Sequence, residues 1–437
     1  MALQQTSDDI RDRYDITDHY KAEIASHILE LQPPTDCEGT TGLDALVVVL
    51  RRIYSASMLG PTGLAKKDWY QKCEQENPII KHAWHVMGDS MEERAAAGQA
   101  RADLISLLSS QMNAGVASFK ELCTSSLMNR TIWSQLDFSI LWPILRSPSM
   151  EIVHQDPDVR ATESLVVLDR EQFPGKTLQE AINGTFGVRE EGSGHLIYRP
   201  NRPFIIRVLL RTKGNCKENR VEFNDIRHFL LPQWGQEIND QGERLFESDP
   251  QPYTIIAVVK MRSDPAVVAE AFPDQSPGPE VVTDAVRIYS FNGPNIIPTY
   301  EDVTLMSPYW SVGDLREHSL EYMLFYTRRP GQLRDDLSGV PEHAPARSMN
   351  FEAWKLIGEA LDPQLAELKE HDESPADGGR QAEVQDVGEV VPQSSQPRIP
   401  TGPKAMIARQ QTAGQSLKRQ RGPQLPSQEQ MFKKRNL

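Results

Sequence analysis

YTIIAVVK (residues 253–260), VRIYSFNGPNIIPTYEDV (286–303) and EYMLFYTR (321–328) follow one another in the second half of this 437-residue chain. Each is rich in β-branched and aromatic residues and reads as strand. Working outward, SLVVLD (164–169), FIIRVLLR (204–211) and residues 221–223 read as further strands, with TLQEAINGTF (177–186) as a short helix. The Pro-rich stretch 263–283 (SDPAVVAEAFPDQSPGPEVVT) reads as a long loop. Upstream of about residue 145 the period is helical. Residues 18–31 place Ile24, Ile28 and Leu31 at helical spacing, and Pro33 and Pro34 end the helix. Thr40 or Thr41 caps the next one, whose face is traced by Leu43, Leu46, Val47, Leu50 and Tyr54. Residues 92–112 and 119–136 continue the pattern. Helices first and sheet afterwards argue an α+β fold.

Composition narrows the class. The chain has 39% hydrophobic and 25% charged residues, ordinary for a globular protein. No apolar run approaches the ~20 residues of a membrane span. The first twenty residues lack the basic-then-apolar pattern of a secretory signal. Cys37, Cys73, Cys123 and Cys216 are scattered without a CxxC pair, which points to a reducing, intracellular compartment rather than to disulfides or zinc. No metal or cofactor motif is present. The net charge of −14 hides an asymmetry: residues 398–437 hold nine Lys/Arg and one Glu, so removing that +8 leaves −22 on the rest. An acidic body repels phosphates, so nucleic acid is expected to meet only the tail, and weakly.

The order and residues of the three quoted runs resemble the C-terminal half of the ubiquitin-specific protease catalytic domain. Residues 253–259 resemble the strand before that family's histidine box, Tyr289-Ser290-Phe291-Asn292 resembles its W-x-x-F-D/N turn, and YMLFY (322–326) resembles its closing strand. PFIIRVLLR (203–211) and the 164–186 segment are similar to the part leading into its fingers. The resemblance spans roughly residues 35–330. It implies a papain-like cysteine-protease superfold with a helical thumb, a β-sheet palm and reduced fingers without zinc. It also implies ubiquitin or a ubiquitin-like modifier as partner, with Asn292 at the position of the third triad member.

The departures bear on chemistry. No histidine lies between His228 and His318, and Lys260, Met261 and the Pro-rich loop stand where the Gly-His-Tyr box belongs. Aligning DCEGTTGLD (36–44) with the family's N-x-G-x-x-C box puts Thr41 at the nucleophile and Asp36 at the oxyanion donor. A cysteine protease needs a thiolate, an oriented base and an oxyanion donor. A threonine hydroxyl without a base is a poor nucleophile, and an Asp repels the developing oxyanion. The expectation is therefore a catalytically degenerate, ubiquitin-binding or scaffolding member. The alternatives are an active thiol-dependent deubiquitinase, using Cys37 with His82, His85, His195 or His318, and an interaction module without ubiquitin binding. Asn292 also reads as a turn residue in Asn-Gly-Pro, and His82 and His85 read as core or surface histidines rather than metal ligands.

The organisation expected is an extension with one helix (1–34), the protease-like domain (35–330), a linker with a C-terminal helix (331–370) and a disordered tail (371–437). Lys418, Arg419 and Arg421 are followed after eleven residues by Lys433, Lys434 and Arg435, a spacing similar to a bipartite nuclear-import signal. A nuclear or nucleo-cytoplasmic location follows from that reading.

Overall fold

The computed structural model describes residues 8–32, 41–88, 90–192, 194–212, 221–232, 235–238, 244–247, 250–263, 283–290, 296–297, 304–306, 310, 312 and 321–329. The chain divides into two units, Met1–Lys369 and Glu370–Leu437, and every described residue lies in the first. Architecture is mixed α+β, as the sequence order implied. The helices are α1 (Ile10–Arg13), α2 (His19–Leu31), α3 (Thr41–Ser57), α4 (Asp68–Glu76), α5 (Pro78–His82), α6 (Met91–Leu108) and α7 (Phe119–Cys123), with short helices afterwards. The strands are β1 (Leu145–Ser147), β2 (Glu151–Ile152), β3 (Val166–Asp169), β4 (Gly187–Glu191), β5 (Gly194–Tyr198), β6 (Ile205–Arg211), β7 (His228–Leu231), β8 (Gly235–Ile238), β9 (Arg244–Glu247), β10 (Gln251–Lys260), β11 (Ala285–Tyr289), β12 (Ile296–Ile297) and β13 (Glu321–Arg328). No described helix is long and apolar enough to cross a membrane.

Seven strands form the main sheet, in the order β12-β11-β10-β13-β6-β3, with β7 also on β10. All pairs are antiparallel except β3 with β6. Strand β10 is its axis: β13 runs along one edge, while β7 pairs with 251–254 and β11 with 257–260 on the other. Both faces are covered, which is why YTIIAVVK is almost uninterrupted apolar sequence. On one face Ala257, Val259, Val286, Ile288, Met323 and Phe325 join the core built on α3. On the other, Val258, Tyr253, Leu324 and Tyr326 join Leu178, Ile182, Phe223 and Trp310. A bulge between Ile255 and Ala257 lets Ile256 and Ala257 both enter the α3-side core. Apart from the main sheet, β2-β1-β5-β4 form a four-stranded antiparallel sheet and β8-β9 a two-stranded one.

Helix α3 is buried all round: every residue from 42 to 54 is buried, as expected of a helix at the centre of a domain. Helix α2 starts where its cap predicts, the Asp18 carboxylate accepting the Lys21 N–H. Two expectations fail. The helix anticipated over 119–136 is broken: α7 stops at Cys123, a new turn begins where Ser125 caps Met128, and Asn129–Trp133 is a π-type turn. Thr124 and Ser125 favour local side-chain bonds over helix continuation, and the Trp133 indole takes the freed Cys123 carbonyl at 2.8 Å. Residues 221–223 are not strand. Asp225 accepts the Glu222 N–H at 3.0 Å, and this box opens the helical turn Phe223–Ile226, whose Phe223 stacks on Tyr289.

Candidate functional site

The resemblance directs attention to the N-terminal end of α3. Thr41 is its first residue. Cys37, Asp36, Asn292, His318, Cys216 and the six basic tail residues, Lys418, Arg419, Arg421, Lys433, Lys434 and Arg435, lie outside the described residues, as do the linker and C-terminal helix expected over 331–370. Helix α7 abuts this end of α3 so closely that a Cβ on Gly42 would stand 2.3 Å from the Ala117 carbonyl oxygen and 2.7 Å from the Phe119 nitrogen. Only glycine fits there. Gly42→Ala should therefore lower stability by about 1–3 kcal/mol, read as a lower urea midpoint with an unchanged slope. An unshifted midpoint would mean that α7 swings aside without cost.

The group that reaches this junction is Asp284, at the entry to β11. Its carboxylate is fully buried and accepts the Phe119 N–H at 3.0 Å and the Arg262 N–H at 2.9 Å. Burial raises its pKa above the usual aspartate value, and the two amide donors oppose the rise. Arg262, just past β10, donates to the Val116 carbonyl at 2.6 Å and lies 3.6 Å from Glu121. Beside it Glu321 receives Lys120 and Arg211, and Arg211 reaches Asp169 at 3.6 Å. One ionic chain thus joins α7, β13, β6 and β3.

The residues that replace the histidine box point into packed interior. Lys260 is buried with its Nζ 5.4 Å from the Trp310 ring centroid, and Arg287 lies over the same ring at 4.6 Å. Trp310 belongs to the core on the sheet face turned away from α3. Met261 is buried in the α3-side core. Neither supplies a base to the helix end.

The described candidate histidines, His82, His85 and His195, and the described thiols also lie elsewhere. The His85 carbonyl accepts Arg51, ten residues and about 15 Å along α3 from Thr41, and His82 stacks on His85. His195 is exposed on β5. Cys73 lies 2.6 Å from the Thr131 carbonyl oxygen, and burial pushes its thiol up to about 11. Burial likewise puts Cys123 at about 11. Neither thiol is a nucleophile at neutral pH. Among the described residues no three His, Cys, Asp or Glu side chains gather as a metal-binding group.

Arginines missed by the sequence reading hold the frame. Arg52, fully buried, donates to the Tyr289 carbonyl at 3.1 and 2.8 Å and to Glu30 at 2.7 Å. It ties the end of β11, three residues before Asn292, to the end of α2, before the segment that enters α3. The available signal was two adjacent cations in an otherwise apolar helix, LVVVLRRIY. A scan against protein-family models finds no match, and a search of the curated proteins finds no similar sequence.

Proposed function

We propose that this protein is a catalytically silent ubiquitin-specific-protease-like scaffold that binds ubiquitin or a ubiquitin-like modifier in the groove flanked by the α3 N-terminus. The observation carrying this reading is the junction itself: a buried central helix, α3, packs against the sheet whose strands β10, β11 and β13 contain the runs on which the resemblance rests. Among the described residues, the group at the place where α7 abuts the α3 N-terminal end is the Asp284 carboxyl, bound by the Phe119 and Arg262 amides. A carboxyl whose lone pairs are engaged by backbone N–H groups holds walls together and does not activate a nucleophile. The basic clusters of the tail support nuclear import of such a scaffold.

The test is a titration of isotope-labelled ubiquitin with the full chain, following ubiquitin amide resonances. The reading expects shifts concentrated on ubiquitin's C-terminal tail and apolar patch, together with no hydrolysis of a ubiquitin C-terminal amide. The absence of shifts at high protein concentration would leave only an interaction module. Hydrolysis that disappears in Cys37→Ala would establish the thiol hydrolase instead.

A further inference from the structure

Residues 8–13 of the N-terminal segment are fastened to the domain by a short backbone bridge. Asp9 pairs with His85 in an antiparallel bridge, the Ile10 N–H donates to the Trp84 carbonyl at 3.0 Å, and the Val86 N–H donates to the Asp8 carbonyl at 2.8 Å. Ile10 is fully buried there, Arg11 reaches Glu74, and Arg13 reaches Glu93. Beneath the bridge the His82 and His85 rings lie nearly parallel, 13° apart, with centroids 5.8 Å apart. The His85 Nε2 is buried and has no hydrogen-bond partner. The fully buried Arg51 guanidinium, from α3, donates to the Ala83 and His85 carbonyls.

We propose that the His82–His85 stack is an acid-sensitive latch: neutral imidazoles keep residues 8–13 seated on 84–86, and protonation releases them. The surrounding charges favour release. Arg51 faces both rings, Arg101 of α6 faces His82, and Arg13 faces His85. Against them stand Asp8 and Asp9 on the segment itself, while Asp44 is held by Arg101 and Glu74 by Arg11. Lys81, on the same helix as His82, is exposed. A proton on either ring meets a buried guanidinium and a second imidazole, with no acceptor for the His85 Nε2. Asp8, Asp9 and Arg13 of the segment stand by His85, which stacks on His82, and the latch requires that release open both rings to water. Desolvation first, then His85, Arg51 and Arg101, pulls His82 from 6.5 down to about 4, and desolvation also lowers His85. The sign follows: the closed state binds fewer protons, so it loses stability as pH falls from 6.5 toward 4. A ring with those two values opens roughly twentyfold more readily at about pH 5 than at neutral pH.

Hydrogen exchange of the full chain, corrected for the intrinsic rate at each pH, tests this. Peptides covering residues 8–14 should lose roughly twentyfold protection between about pH 7.5 and pH 5, while peptides covering 254–260 stay protected. His82→Phe/His85→Phe, which preserves stacked rings and cannot take protons, should abolish the change, and His82→Phe alone should reduce it. Unchanged protection in the wild type, an equal loss in the variants, or simultaneous loss over 254–260 would each overturn the latch. The last outcome is general acid unfolding and is read without any variant.

Discussion

Arg51→Met is expected to lower the stability of the folded unit by about 3–5 kcal/mol, a large part of the 5–15 kcal/mol typical of a domain. The guanidinium is fully buried and donates to four carbonyls: Ile28 at 3.0 Å, Leu29 at 3.2 Å, Ala83 at 3.1 Å and His85 at 2.8 Å. Ile28 and Leu29 belong to the last turn of α2, and Ala83 follows α5. The negative ends of two helices therefore stand where a carboxylate would. Desolvation lowers the group to about 9, so it remains charged at neutral pH. Methionine fills a similar volume and leaves the Leu29, Ala83 and His85 carbonyls without the donor that Arg51 supplied, each costing more than the hydrogen bond returned, while the Ile28 carbonyl keeps the Gln32 N–H. Lysine keeps the charge but cannot span carbonyls on both segments, so Arg51→Lys should lose roughly half as much. Urea unfolding measures both. A shift under about 1 kcal/mol for Arg51→Met would mean that water reaches the carbonyls and that α2 does not depend on this side chain.

The same arginine marks the boundary of what the sequence made legible. The strands at 253–260 and 321–328 were readable because two-sided burial writes an apolar run into the chain. The helix over 18–31 was readable from the helical spacing of Ile24, Ile28 and Leu31 and from the two prolines that follow. The break after Cys123 was not, because Phe119 to Leu136 retains helical spacing while Thr124 and Ser125 redirect the backbone. Arg51 and Arg52 were visible only as cations out of place. Apart from the Ser55 hydroxyl next to Arg52, their acceptors lie 22 to 237 residues away, and no local pattern encodes those. The candidate site divides similarly. Thr41 opens the central helix; Lys260 and Met261, which the sequence put only in place of a histidine box, lie in the interior, and the group described where α7 abuts α3 is Asp284. Its sequence neighbourhood, a Pro-rich stretch followed by AVRIY, gives no hint that its partners are Phe119 and Arg262.

Asp284→Ala isolates that group. Alanine leaves the Phe119 and Arg262 N–H groups without an acceptor in a site closed to water, at about 1–3 kcal/mol each. Removing a buried carboxylate also relieves its desolvation, so the net loss expected at neutral pH is about 2–4 kcal/mol. Asp284→Asn keeps one acceptor and turns an NH₂ toward the other amide, so it should fall between. The pH dependence has a definite sign. Because burial raises the folded carboxyl's pKa above 3.8, the folded state holds its proton longer than the unfolded chain. Wild-type stability relative to Asp284→Asn therefore rises as pH falls through the raised value toward 3.8, and declines as pH climbs back. Hydrogen exchange at the Phe119 and Arg262 amides locates the damage: both should lose protection in Asp284→Ala while β13 keeps its own. If neither amide changes, the carboxyl is not what joins α7 to the β10–β11 end. The wall of the proposed groove would then have to be held by the Lys120–Glu321–Arg211 chain, whose partly exposed pairs contribute far less.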